Sequence, residues 1–173
     1  VILQICTYGS QVLRKKSEPV KEITPELVEL ARNMLDTMYK ANGVGLAAPQ
    51  VGKNIRLFVI DLAKEEEERN PIMLFNPEVE PEDGENPLET DEEGCLSVPD
   101  VWVKISRPSR VRLSYTNEKG KFVEMRNVTG KLARCALHES DHLNGILFVD
   151  KMSVTDKAVN ASKLKKMAKS KVS

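Results

Sequence analysis

Apolar positions along the chain follow two different periods. In "TPELVELARNMLDTMYKANG", Leu27, Leu30, Ala31, Met34 and Met38 recur at three- and four-residue spacing, which lines them up as one stripe of an α-helix. Thr24 suits the position ahead of that helix and Pro25 its first turn, while Asn42-Gly43 supplies a stop. The pattern then becomes strand-like at 55–60 (IRLFVI), 72–76 (IMLFN), 102–105 (WVKI), 111–116 (VRLSYT) and 122–128 (FVEMRNV). The turn-forming "NEKG" makes the last two a hairpin. A helical pattern returns from Lys131 to Leu143, stopped by Asn144-Gly145, and again in a lysine-rich stretch at about 155–171. Helix, several mostly antiparallel strands, then helix is an α+β order. There is no internal repeat and no convincing linker, so residues 1–173 are expected to form a single domain ending in a basic helical tail.

Composition narrows the class. Hydrophobic residues at 40% and charged residues at 30% are an ordinary globular balance. No apolar run approaches the ~18 residues of a membrane span. The opening "VILQICTYGS" is too short and too polar for a signal peptide, and Val1 stands where a start methionine would, so at least one residue is expected ahead of it. Cys6, Cys95 and Cys135 are odd in number and lack the spacing of a disulfide framework, which points to a reducing, cytosol-like compartment. The net charge of zero hides a segregation: fourteen Asp and Glu against two basic residues over 61–93, and seven Lys against one acid over 151–173. The acidic "AKEEEERN" reads as solvated surface.

Chemistry enters at "LARCALHESDHLNG", which holds both histidines of the chain. His138 and His142 are four residues apart, so a helix presents them on one face, and Glu139 reaches the space beside them. That is the content of H-E-x-x-H: two metal ligands and a general base. A chance match on a surface helix is the plain alternative. A catalytic site normally needs a third protein ligand. Cys95 in "DEEGCLSVP" offers a thiolate, but an Asp or Glu could also serve, and a free cysteine is more often just a small buried hydrophobe. "GVGLAAPQVG" imitates a dinucleotide fingerprint, yet its glycines follow a helix and Pro49 interrupts the helix that should begin there. A tight turn, or a loop that lets a substrate backbone approach with Gln50 presenting an amide, fits it better.

Together the three stretches resemble the peptide deformylase family, which is marked by G-x-G-L-A-A-x-Q, E-G-C-L-S and Q-H-E-x-D-H in that order. Here they read "GVGLAAPQ", "EGCLS" and "LHESDH", and the likeness extends to "VLRKKSEPV" and "LNGILFVDKMS", nearly the whole chain. Leu137 departs, standing where the family usually has Gln; it is neither ligand nor base, so it bears on local packing or hydrogen bonding.

The resemblance implies antiparallel strands around a central metal-binding helix, with Cys95, His138 and His142 holding one divalent ion. That ion would be Fe(II) natively, replaceable by Zn(II), Ni(II) or Co(II). It implies Glu139 as general base, and the Gln50 amide and Leu96 backbone N–H as oxyanion donors. The substrate would be the N-formylmethionyl end of a nascent peptide, hydrolysed to formate and a free N-terminus. Gly45 would pair with the peptide backbone, and Val44, Cys135 and Arg134 would wall the methionine pocket, the Arg134 charge reaching solvent. Glu93 and Arg107 would pair to stiffen the Cys95 segment, and Asp141 would either support a neighbouring group in the same way or, more simply, be a helix-surface acid. The resemblance implies a bacterial-type cytoplasmic or organellar enzyme without a membrane segment, its lysine-rich tail a candidate ribosome contact. Two rivals are a zinc peptidase cutting internal bonds and a closed structural metal site, which would need a fourth protein ligand.

Overall fold

The computed structural model describes residues 1–173. In chain order the elements are α1 (Pro25–Lys40), β1 (Gly45–Ala47), β2 (Leu57–Ile60), β3 (Ile72–Pro81), β4 (Leu88–Cys95), β5 (Val98–Pro108), β6 (Val111–Thr116), β7 (Phe122–Val128), α2 (Gly130–Leu143) and α3 (Val154–Lys169). The five-stranded sheet has the order β1-β2-β3-β6-β7, and β4-β5 form a second sheet of two. All these strand pairs are antiparallel, so the α+β reading holds.

α1 forms where the apolar stripe predicts. Thr24 Oγ1 accepts from the Leu27 N–H at its start. At its end Asn42, not Gly43, takes the left-handed conformation, with φ 59°. Asparagine tolerates that region, so the Asn42-Gly43 stop acts through its first residue.

The large sheet lies between two helices, and strand alternation assigns each face. Phe58, Ile60, Leu74 and Leu113 pack with Ala133, Cys135, Ala136 and Leu143 of α2. Leu57, Val59 and Phe75 pack with Ala31, Met34, Leu35 and Met38 of α1. This is why "LFVI" is apolar without alternation: β2 is buried on both faces. Phe58 and Phe75, fully buried on opposite faces, each contribute roughly 1.5–3 kcal/mol, pinning one helix to each side. The β4-β5 sheet has its own core, in which Val98, Val101, Val103 and Ile105 meet Leu13, Leu147, Phe148 and Leu164.

Several boundaries differ from the sequence expectation. The run at 72–76 continues to Pro81 through a bulge between Phe75 and Glu78, where Asn76 has φ 50°. The run at 102–105 is the middle of an eleven-residue strand. β1 and β4 were not anticipated. In β4, "LETDEEGC", only Glu93 is buried, so no apolar alternation announced a strand. The acidic stretch at 64–70 is exposed, as read from the sequence. No helix is long and apolar enough to cross a membrane.

Candidate active site

Small residues set the depth of α2. Ala133 and Ala136 let its backbone lie close on the sheet, and the neighbouring face then carries His138 and His142 inward, both buried. Their rings meet edge to face at 5.2 Å between centroids, and Phe148 stacks on His138 at 5.7 Å. Cys95 arrives from the end of β4, where the register with β5 shifts between Glu93 and Cys95. Its Sγ is 3.3 Å from His142 Nε2. The candidate donor atoms of Cys95, His138 and His142 all lie within 4.8 Å of one another.

The donor set fits a metal ion. Ligands at ~2.0–2.3 Å from one tetrahedral ion lie roughly 3.3–3.7 Å apart, as the sulfur and His142 do. His138 Nδ1 is 2.8 Å from Glu93 Oε1, so that carboxylate accepts the Nδ1 proton and leaves Nε2 for coordination. Burial opposes a charge on His138, but Cys95 and Glu93 outweigh it and raise its pKa well above the ordinary histidine value. Burial, followed by the neighbouring His138, holds His142 well below that value, in the neutral form a ligand requires.

Glu139 is buried beside His138, and its Oε1 has no protein partner. Burial drives its pKa up to about 7; His138 opposes the rise and the charge of Glu93 adds to it. Across from it lies Gly45. A Cβ there would stand 2.6 Å from Glu139 Oε2 and 2.9 Å from Cys135 Sγ, so only glycine permits this approach. Gln50 is oriented unambiguously: its Oε1 accepts from the Ala47 N–H at 2.9 Å, which turns Nε2 toward Cys95 Sγ (3.5 Å) and Ser97 Oγ (3.1 Å). Leu96 is half-buried and packs with the α1 side of the core, close against Gly43. Val44 is exposed, whereas Cys135 is buried and burial pushes its thiol well up, keeping it neutral.

Glu93 ties the supports together. Arg107 donates Nε to its Oε2 at 2.6 Å and Nη2 to its Oε1 at 2.9 Å. Burial alone would raise the Glu93 carboxyl, but the hydrogen bonds from Arg107 and His138 hold it down at about 2. Arg134 differs from expectation. Its guanidinium, only partly exposed, is not free in solvent but donates to Glu93 Oε2 (2.6 Å), Ile105 C=O (2.9 Å) and Glu89 C=O (2.8 Å). A carboxylate already desolvated at Glu93 draws the second cation in. Asp141 accepts from Arg107 at 3.0 Å, so of its two readings the structure favours support of a neighbouring group over a free helix-surface acid. Leu137 packs against the sheet core, taking an apolar place where the family's Gln would stand.

Sequence reasoning missed Ser97 and Phe148. Ser97 closes the "EGCLS" motif and could have been suspected from it; Phe148 is an ordinary apolar residue whose role no local pattern reveals. A polar cleft of about 660 Å³ lined by Lys16, Arg56, Glu78 and Asn144 contains none of the three donors.

A polypeptide deformylase family model matches residues 2–158. A peptide deformylase of a Synechococcus strain is 49% identical over 150 residues, 87% of this chain and 73% of its own length. That of Desulfitobacterium hafniense is 47% identical over 156 residues, 90% of this chain and 98% of its own. Among solved structures, the peptide deformylase of Synechococcus elongatus in complex with actinonin superposes with a TM-score of 0.84 at 43% identity, covering 94% of this chain and 86% of its own. The chain belongs to the polypeptide deformylase family, metal-dependent hydrolases that deformylate N-formylmethionine peptides.

Proposed function

We propose that Cys95, His138 and His142 hold one divalent metal ion, and that Glu139, Gln50 and Leu96 carry out formyl hydrolysis beside it. The observation that carries this reading is Glu139: a buried carboxyl with a free oxygen and a pKa near neutrality, adjoining a three-donor cluster. When bound, such an ion lowers the pKa of a water molecule and polarises a carbonyl. Glu139 accepts the proton of the attacking water and later returns it to the leaving amine, a task suited to a group titrating near pH 7. Gln50 Nε2, already aimed by the Ala47 N–H, donates to the developing oxyanion together with the Leu96 N–H.

The backbone of β1 offers a place for the peptide. β1 is an edge strand, and the Asp61 N–H donates to Val44 C=O at 2.9 Å. Alternation then turns the polar groups of Gly45 and Ala47 away from β2. Gln50 takes the Ala47 N–H, so Gly45 remains for an added strand. Val44, Cys135 and the stem of Arg134 wall the methionine side chain, with the Arg134 charge retained by Glu93. Formate release from a formyl-Met peptide by the wild type but not by Glu139→Gln, with the peptide chain left whole, is the expected result. Internal cleavage of an acetylated peptide would instead support the peptidase reading.

Fe(II) is the ion we assign to the most active form, with Zn(II) slower and Ni(II) or Co(II) more durable. Two imidazoles and a thiolate accept any of these, and the thiolate makes an iron site sensitive to air. Residues 1–173 belong to a single catalytic domain in this reading, and its free cysteines suit a reducing, cytosol-like compartment. α3 is its basic tail: Lys157, Lys165, Lys166 and Lys169 are all exposed, a surface suited to RNA phosphates, and we assign it to ribosome docking.

A further inference from the structure

β5 alternates cleanly. Val101, Val103 and Ile105 are 1%, 5% and 1% exposed, while the outward row continues with Lys104 and Ser106. Trp102 breaks the chemistry of that row. It is the only tryptophan of the chain, it points outward, and it is 66% exposed. So large an exposed ring forgoes the gain of burial within this chain and keeps a face on which a partner's apolar group can be buried.

The ring is not loose. A Cβ built on Gly94 would lie 2.5–2.7 Å from three carbons of its six-membered ring, so one part of the indole rests on the Gly94 backbone. The remainder is open. Gly94 immediately precedes Cys95, whose Sγ is 3.3 Å from His142 Nε2, so the ring is anchored one residue from the cluster where the formyl group reacts. β4 pairs with β5 alone, leaving its other edge unpaired near the site. An extended peptide advances ~3.3 Å per residue, so the first residues beyond the formylmethionine come within reach of this rim.

We propose that Trp102 is a specificity-determining residue: an aromatic platform, held by Gly94, for an apolar side chain one or two residues beyond the formylmethionine. The idea rests on the peptide lying along the Gly45 edge, and its occupant follows from the closeness of that edge to the Cys95 segment, where Leu96 packs against Gly43. A rigid aromatic ring already fixed by backbone loses little entropy on contact, and aromatic pairs gain from ring geometry beyond the area they bury.

The test compares kcat/KM for formyl-Met-Phe-Ser and formyl-Met-Ser-Phe with that for formyl-Met-Ser-Ser. Trp102→Ala should lower at least one aromatic-to-serine ratio about fivefold, and Trp102→Phe should retain most of it. Ratios unchanged in Trp102→Ala overturn the proposal, even if absolute rates fall, because a mere prop for Cys95 would slow all three peptides alike. Failure of the wild type to release formate from any of them would instead remove the hydrolase reading. Should Trp102→Ala not fold, the sole tryptophan serves as the probe. Its emission should shift as the products Met-Phe-Ser and Met-Ser-Phe are titrated into the wild type, and no shift with either overturns the assignment.

Discussion

Glu93 accepts from Arg107, Arg134 and His138 at once, and through the last of these it decides which histidine nitrogen faces Cys95 and His142. Replacing it by Gln keeps an acceptor oxygen but removes the charge that both arginines neutralise. Metal affinity, measured by chelator competition, should weaken roughly 10–100-fold, the usual effect of losing a partner behind a ligating histidine. Substitution of Cys95, His138 or His142 by Ala should remove metal and activity together. Glu139→Gln should keep the metal and lose turnover by roughly a hundredfold or more. Near-normal turnover in that variant would sink the mechanism. Gly45→Ala probes the same contact from the other side. The new methyl meets Glu139 Oε2 and Cys135 Sγ well inside contact distance, so formate release should fall while metal content holds. Overpacking of this kind also costs about 1–3 kcal/mol in stability, which thermal melts would register.

At the scale of elements, the polar joints between strands carry a pH dependence. Glu82, just past β3, accepts from Arg126 Nε and Nη2 at 3.0 and 2.9 Å and from the Asn127 N–H at 2.8 Å, linking β3 to β7. The Arg126 hydrogen bonds, and then that of Asn127, hold its carboxyl at about 2, below the ordinary 4.5. A depressed carboxylate stabilises the fold above its unfolded pKa and loses that contribution as pH falls from about 4.5 toward 2. Glu82→Gln should therefore flatten the fall of Tm across that window, and an identical slope in both proteins would exclude Glu82 as a source. Elements with an apolar rhythm were legible beforehand: α1, β2, β6, β7 and α2 lie close to where periodicity put them. β4 was not, because a strand held by β5 on one edge and by Glu93 and Cys95 at its end needs no apolar face of its own.

For the whole molecule, α3 joins two duties. Leu164 is buried in the core of the small sheet, and Val172, just beyond α3, exchanges hydrogen bonds with Thr7. Deleting the tail would thus disturb the body, so charge reversal is the cleaner probe. Lys157→Glu, Lys165→Glu and Lys166→Glu together should leave formate release from a small peptide near normal while weakening salt-sensitive ribosome binding, read by co-sedimentation. Equal binding would remove the docking idea. Metal analysis and formate-release rates of samples prepared without oxygen, in air and after exchange decide the ion. Iron content with highest activity is expected without oxygen, and a zinc form that matches it would refute Fe(II). By itself the sequence determined the helix that pairs His138 with His142, the α+β order and the family, because these depend on spacing within short segments. Spacing left the third donor open and only the resemblance named Cys95 and Gln50; the tertiary structure alone shows the Cys95 sulfur beside both histidines, the Gln50 amide turned toward it and Arg134 held by Glu93. Those facts join residues 41 to 47 positions apart, and such encounters are set by how the two sheets close around α2, which no local pattern encodes.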